Sequence, residues 1–146
     1  MNTAKSLFAA AILVGLGIGV GLSVNPILAE PVTPTFVYEM RTYTTEPGRL
    51  PNLHARFQNH TMKLFEKHGM KNVIYLTPVD GEGKAVDNKL VYLLAHPSQA
   101  AAKASFDAFR KDPEWITARD ESEKSGKIVA KVESQFYVPT DYSPMK

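Results

Sequence analysis

The chain contains no cysteine. That absence excludes disulfides, thiolate metal sites, a cysteine nucleophile and a lipid-modified N-terminal cysteine. Net charge is also scarce. Seventeen Lys and Arg against 15 Asp and Glu leave +2 over 146 residues. Nucleic acid is not expected as a partner, because phosphate neutralisation needs a clustered basic surplus and none is visible. Hydrolase and phosphate-binding motifs are missing too. "GEGK" at Gly81–Lys84 lacks the GxxxxGK[ST] spacing and a following helix, and reads as a hairpin turn. There is no GxSxG, and no serine stands beside a histidine and an acid. The four histidines are His54, His60, His68 and His96. On the first helix they are spaced by six and eight, not by the three or four that a helical metal pair needs. His54 and His68 share a helix face but lie about 21 Å apart along its axis, so one ion cannot join them and no metal site is expected. No repeat of the 20–50-residue kind is present.

What is there begins with the uncharged run Leu7–Val24, preceded by Lys5 and followed by Pro26 and the small Ala29. Residues 1–29 read as a secretory signal peptide. The rival reading is an uncleaved anchor, since the run is long enough to span a membrane. Either one places the folded part outside the cytoplasm, periplasmic or secreted in the first case and tethered by residues 7–24 in the second. Residues 30–35, "EPVTPT", are a Pro-rich linker, and residues 36–146 form one domain with a short tail.

Alternation and β-propensity predict a strand over Phe36–Thr45, closed by Pro47 and Gly48. A helix follows from about Arg49 to Lys67. Its buried stripe is Leu50, Leu53, Phe57, Thr61, Leu64 and His68, and Gly69 ends it. Strands are expected at Lys71–Pro78 and at Lys89–His96, the latter central because its apolar run is nearly continuous. Ser98 caps a second helix with Ala102, Phe106 and Phe109 inward. Asp112 and Pro113 open a third, ending at Gly126, and Lys127–Val138 is the last strand. The order β-α-β-β-α(α)-β is the ferredoxin-like α+β arrangement, an antiparallel sheet with helices on one face and its first and last strands adjacent.

The centre of the first strand carries two charges. Alternation assigns Phe36, Tyr38, Met40 and Thr42 to the helices, leaving Glu39, Arg41 and Tyr43 on the other face. The last strand places Lys131 and Glu133 on that same non-helical face, with Val129 and Tyr137. Two readings stand. In one, Glu39 with Lys131 and Arg41 with Glu133 are cross-strand ion pairs, worth about 0.2–1 kcal/mol each. In the other, these charges line a polar pocket covered by the same face of a second copy, which would make a homodimeric α/β barrel.

Several segments carry a resemblance. "YEMRTYTTEPGRL", "HTMKLFEKHGMKNVIYLTP", "LVYLLAHPS", "FRKDPEW" and "KVESQFYVPTDYSP" resemble, in this order, the NIPSNAP family. The resemblance implies a dimeric α/β-barrel fold, in a superfamily that also holds cofactor-independent monooxygenases and haem-degrading enzymes. It implies no settled activity. Animal members are linked to mitochondria and vesicle traffic, and the signal-like N-terminus departs from that setting, so an exported bacterial-type member is expected.

The leading expectation is a binding protein whose cavity is built from Glu39, Arg41, Tyr43, Tyr75, Tyr92, Lys131 and Glu133. It would hold a small, partly apolar ligand, its anionic group on Arg41 and Lys131. His60, in the family-like "HT" segment, is a candidate ligand-facing or haem-contacting residue, or else a surface histidine. The alternatives are a cofactor-independent monooxygenase or haem-handling enzyme, in which a tyrosine phenol meets the substrate, and a membrane-associated interaction module. No resident cofactor is required by the first reading.

Overall fold

Strand β1 (Val37–Thr45) is the spine of the sheet, hydrogen-bonded on both sides. The computed structural model describes residues 36–145, which lie within one compact unit. The stretches expected to be a signal or anchor segment, 1–29, and a linker, 30–35, lie outside the described residues. After β1 come α1 (Leu50–Arg56), a π-helical turn (Phe57–Thr61) and α2 (Met62–Lys67). Then follow β2 (Lys71–Leu76), β3 (Lys89–His96), α3 (Gln99–Phe109), α4 (Pro113–Ser122) and β4 (Val129–Tyr137). The sheet order is β2-β3-β1-β4, every pair antiparallel, with β3 interior and β1 beside β4 as the sequence order requires. Among the described residues no helix is long and apolar enough to cross a membrane.

Local chemistry sets the boundaries. Ser98 accepts from the Ala101 N–H at 3.0 Å and Asp112 from the Glu114 N–H at 2.8 Å, so both helices start at side-chain caps, the second with Pro113 in its first turn. Gly69 adopts φ +75°, and the chain reverses there with the Met70 N–H on the Phe65 carbonyl at 2.9 Å. Gly81–Lys84 is a hairpin turn: Asp80 Oδ1 accepts from the Glu82 and Lys84 amides, and Val79 bridges Ala85. Of the expected stripe, Leu50, Leu53, Phe57, Thr61 and Leu64 are buried while His68, just past the helix end, is only partly so, and the helix is not uniformly α. The Met62 amide reaches the Phe57 carbonyl five residues back, and Thr61 Oγ1 donates to the Arg56 carbonyl at 3.2 Å, which stabilises the wider turn.

The core lies between the helices and one face of the sheet. Leu53, Phe57, Phe65, Tyr92, Leu94, Phe106, Phe109 and Ile128 form its centre. Each such side chain contributes roughly 1.5–3 kcal/mol by leaving water. Tyr92 sits among Tyr43, Phe57, Phe65 and Tyr75 at centroid distances of 5.2 to 6.0 Å, edge-to-face with the first two, tilted against Phe65 and stacked on Tyr75. Trp115 closes one end against Phe109 at 4.4 Å.

One expectation is overturned. In the observed register Glu39 pairs with Leu94 and Phe136, Arg41 with Tyr92 and Ser134, and Tyr43 with Leu90 and Val132. Directly paired residues share a face, and these partners include the core residues Leu90, Tyr92 and Leu94. Glu39, Arg41 and Tyr43 therefore face the helices, and Tyr38, Met40 and Thr42 face away. The ion pairs Glu39–Lys131 and Arg41–Glu133 cannot form across the sheet, and Lys131 and Glu133 pair with each other at 2.7 Å on the open face.

Candidate functional site

The buried charges of β1 form one network. Arg41 Nη1 lies 2.6 Å from Glu39 Oε1, Ser134 Oγ donates to that oxygen at 2.5 Å, and His96 Nε2 stands 3.2 Å from Glu39 Oε2. The Glu39 side chain is 3% exposed and that of Arg41 16%. Burial opposes ionisation of Glu39, yet the bonds from His96 and Ser134 and the Arg41 cation together outweigh it, so the carboxyl is held below its ordinary range. With Glu39 ionised, His96 donates through Nε2, and its buried Nδ1 has no hydrogen-bond partner among the described residues. The Arg41 guanidinium lies 4.4 Å from the Phe106 ring centroid, on α3. This cluster ties β1 to β3, β4 and α3, and its charges neutralise one another. It provides an anchor that ties the strands to α3.

The open sheet face is different. By register it carries Tyr38, Met40, Thr42 and Thr44 of β1, Val91 and Leu93 of β3, and Lys131, Glu133, Gln135 and Tyr137 of β4, with Ile74 and Leu76 of β2 at one margin. Met40, Ile74, Leu76 and Tyr137 are each exposed by 39–48%, a large apolar area for a face on which, among the described residues, no helix packs. A cavity of about 210 Å³ opens there between Tyr38, Met40, Leu93 and Tyr137 and the tail residues Val138, Pro139, Ser143 and Met145. Its lining is nearly all carbon. Beside it a more polar depression of about 440 Å³ is bordered by Met40, Thr42, Glu133, Ser134, Gln135 and Tyr137. An apolar recess next to a few hydrogen-bonding groups suits a small molecule with one polar end.

The residues singled out from sequence are thus divided. Glu39, Arg41, Tyr43, Tyr75 and Tyr92 are brought together on the helix side. Lys131 and Glu133 stand on the open face, and Glu133 alone of the eight borders the depression there. Tyr75 donates to Asn72 Oδ1 at 2.5 Å, and burial, then Glu66, raise its phenol well above the usual value. Tyr92 is raised chiefly by its complete burial. His60 is exposed on the outer helical surface, beside Asn59 and across from Ala118 and Glu121. None of the four histidines lies on the open sheet face: His54 borders a groove beside β2, His68 bonds Asp112 at 2.6 Å and His96 bonds Glu39. Among the described residues no group of three or more His, Asp or Glu is placed to hold a metal ion. Tyr38, Met40 and Leu93, which build the recess, were missed because alternation in β1 pointed its apolar residues inward. Two signals were available: His96 and Ser134, polar groups in otherwise apolar inward sets, are the partners that let a carboxylate turn inward.

The fold and this bare face define a ferredoxin-like α+β domain with helices on one side of a four-stranded sheet. The NIPSNAP family model matches residues 38–144, most of the chain, and the chain belongs to the NIPSNAP family. Solved structures agree. A NIPSNAP family protein of unknown function from Agrobacterium tumefaciens superposes with a TM-score of 0.64 at 19% identity, over 77% of this chain and 96% of that one. An uncharacterized NIPSNAP-like domain protein from Burkholderia xenovorans gives 0.63 at 14% identity, over 77% and 91%. A second Agrobacterium tumefaciens NIPSNAP family protein gives 0.62 at 14%, over 76% and 99%. At these identities the likeness is one of fold. No curated protein matches the sequence.

Proposed function

We propose that the protein is an exported, homodimeric binding protein. In this reading the open sheet faces of two copies meet and enclose a small, partly apolar ligand against Tyr38, Met40, Leu93 and Tyr137. The single observation that carries it is the exposed apolar set on that face together with the recess beneath the tail. A second copy supplies the same surface in self-complementary form, as an isologous two-fold interface requires. Neither Arg41 nor Lys131 takes an anionic end in this reading, because Glu39 neutralises the first and Glu133 pairs with the second. Polar contacts to the ligand come instead from Thr42, Gln135 and Glu133. No observation favours a haem or oxygenase reading over this one.

Native mass spectrometry of protein isolated from its own producer, without refolding, tests the proposal. The expected spectrum is a dimer of chains cleaved after Ala29 carrying a defined extra mass. Met40→Asp should shift the population to monomer and lose that mass, since it places a charge at the centre of the joined faces. A monomeric wild type would sink the covered-face reading. An intact N-terminus would sink export by cleavage and leave the membrane tether.

A further inference from the structure

We infer a second small-molecule site within each protomer, in the groove between the first helix and β2, taking a neutral one- or two-ring aromatic with a polar edge. It goes beyond the proposal above, since it lies on the helix side of the sheet and needs no second copy. The cavity holds about 290 Å³. An apolar cavity of about half that size accepts a benzene ring.

Its walls are Phe57, Met62, Tyr75 and Leu90, Leu76 borders it at the edge of β2, and its rim carries His54, Gln58 and Thr77. The aromatic wall is fixed from behind. Tyr75 lies nearly parallel to Tyr92 at 5.4 Å and 19°, stands edge-on to Phe57 at 5.7 Å, and is pinned through its hydroxyl to Asn72. A flat ring entering the groove thus meets a stack already ordered, and little conformational entropy is lost on binding. Two backbone irregularities shape the groove. The π-helical turn supplies Phe57 and Gln58 on one side, and the register shift between Asn72 and Ile74 re-aims β2 on the other.

The rim decides the charge of the occupant. No Lys or Arg borders the cavity. A carboxylate there could accept only from the neutral donors of Gln58 and Thr77, with no Lys or Arg to offset the water it sheds beside the apolar wall. A neutral N–H or O–H sheds less, and the Gln58 carbonyl, the Thr77 hydroxyl or a His54 ring nitrogen can accept from it. The polar groups stand at the mouth and the apolar ones at the base, so the ring goes in first and its polar edge stays outermost.

Methionine methyls report on each site separately. Met62 borders this groove, Met40 and Met145 border the open-face recess, and Met70 is buried in the core. The full chain, labelled at its methionine methyls, is titrated with indole and separately with benzoate and followed by NMR. Indole should move the Met62 methyl saturably, leave Met40 in place, and bind at least about tenfold more tightly than benzoate, a gap of roughly 1.4 kcal/mol. Filling the groove with Gln58→Trp or Thr77→Trp, two exposed positions on opposite sides of the rim, should abolish the Met62 response while the other methyls keep their positions. An unmoved Met62, or equal binding of benzoate, overturns the inference. Indole shifting Met40 and Met145 alone also overturns it, and places the ring on the open face instead.

Discussion

Replacing Glu39 by Leu tests whether the charged centre of β1 is a structural anchor. The substitution keeps the volume and removes the acceptor of three bonds, from Arg41, Ser134 and His96. It leaves the Arg41 guanidinium, 16% exposed, with no counter-charge. Removing one partner of a buried pair costs about 3–5 kcal/mol. Arg41 keeps its place over the Phe106 ring and some access to water, so the low end applies, about 3 kcal/mol. In a domain of this size each kcal/mol lowers Tm by about 4 °C, where the ranges for smaller and larger domains meet, so the melt should fall by about 12 °C. Urea unfolding read from the single tryptophan, Trp115, gives the free energy directly. The decisive companion is the double variant Glu39→Leu, Arg41→Met. Exchanging a buried pair for apolar groups of like volume is often neutral or better, so more than half the loss should return. A single variant costing under about 1 kcal/mol, the range of exposed pairs, would refute the anchoring role. So would a double variant whose cost is the plain sum of the two singles.

Acid should weaken the fold through two carboxyls. Glu39 is held low against its burial, and Asp112 is lowered by His68 first and then by Lys67. Both folded pKa values lie below the unfolded ones, near 4, so their contribution is complete above that pH and drains as pH falls toward the folded values. The urea midpoint should drop between about pH 5 and 3, and drop less steeply in Asp112→Asn; a flat profile would contradict this. Thr61→Val removes the hydroxyl bond to the Arg56 carbonyl and should cost about 1 kcal/mol. Hydrogen exchange at the Met62 amide, which donates into the same turn, should quicken, and unchanged protection there would argue against the role given to Thr61. At Gly69 a Cβ meets nothing closer than Ser105 Oγ at 3.8 Å, so the cost of Gly69→Ala is the left-handed backbone alone, about 1–2 kcal/mol by thermal melt. Gly81→Ala, at open space and without positive φ, should stay within about 0.5 kcal/mol.

Element type and order were legible because they rest on local signals. Lys89–His96 reads as an interior strand and is one, and Ser98 and Asp112 read as caps and act as caps. The adjacency of β1 and β4 follows from the order alone. The face of β1 was not legible, because alternation weighs hydrophobicity and cannot weigh mutual neutralisation. Glu39 and Arg41 turn inward only because they meet each other, His96 and Ser134. A slip of one position in that judgement moves every side chain of the strand to the opposite face. The candidate site inherited the error: five of its residues lie under the helices, two on the open face and His60 on the outer surface. The apolar recess depends on the tail folding back over Met40 and Tyr137, a tertiary event that no local pattern announces.

The π-helical turn gives the first helix one residue more than a regular ladder would use. Length, not composition, is therefore the soft variable at this point of the chain. Excising the exposed Asn59 would let the two halves join as an ordinary α-helix with Leu53 on one side and Leu64 and Phe65 on the other still seated. The same excision in α3, of Lys103 for example, has no slack to absorb it and would swing Phe106 and Phe109 about 100° out of the core. Circular dichroism and a melt on the two shortened chains should show one folded protein and one collapsed. The segment that looks irregular is a place where the chain can change its count without changing its shape.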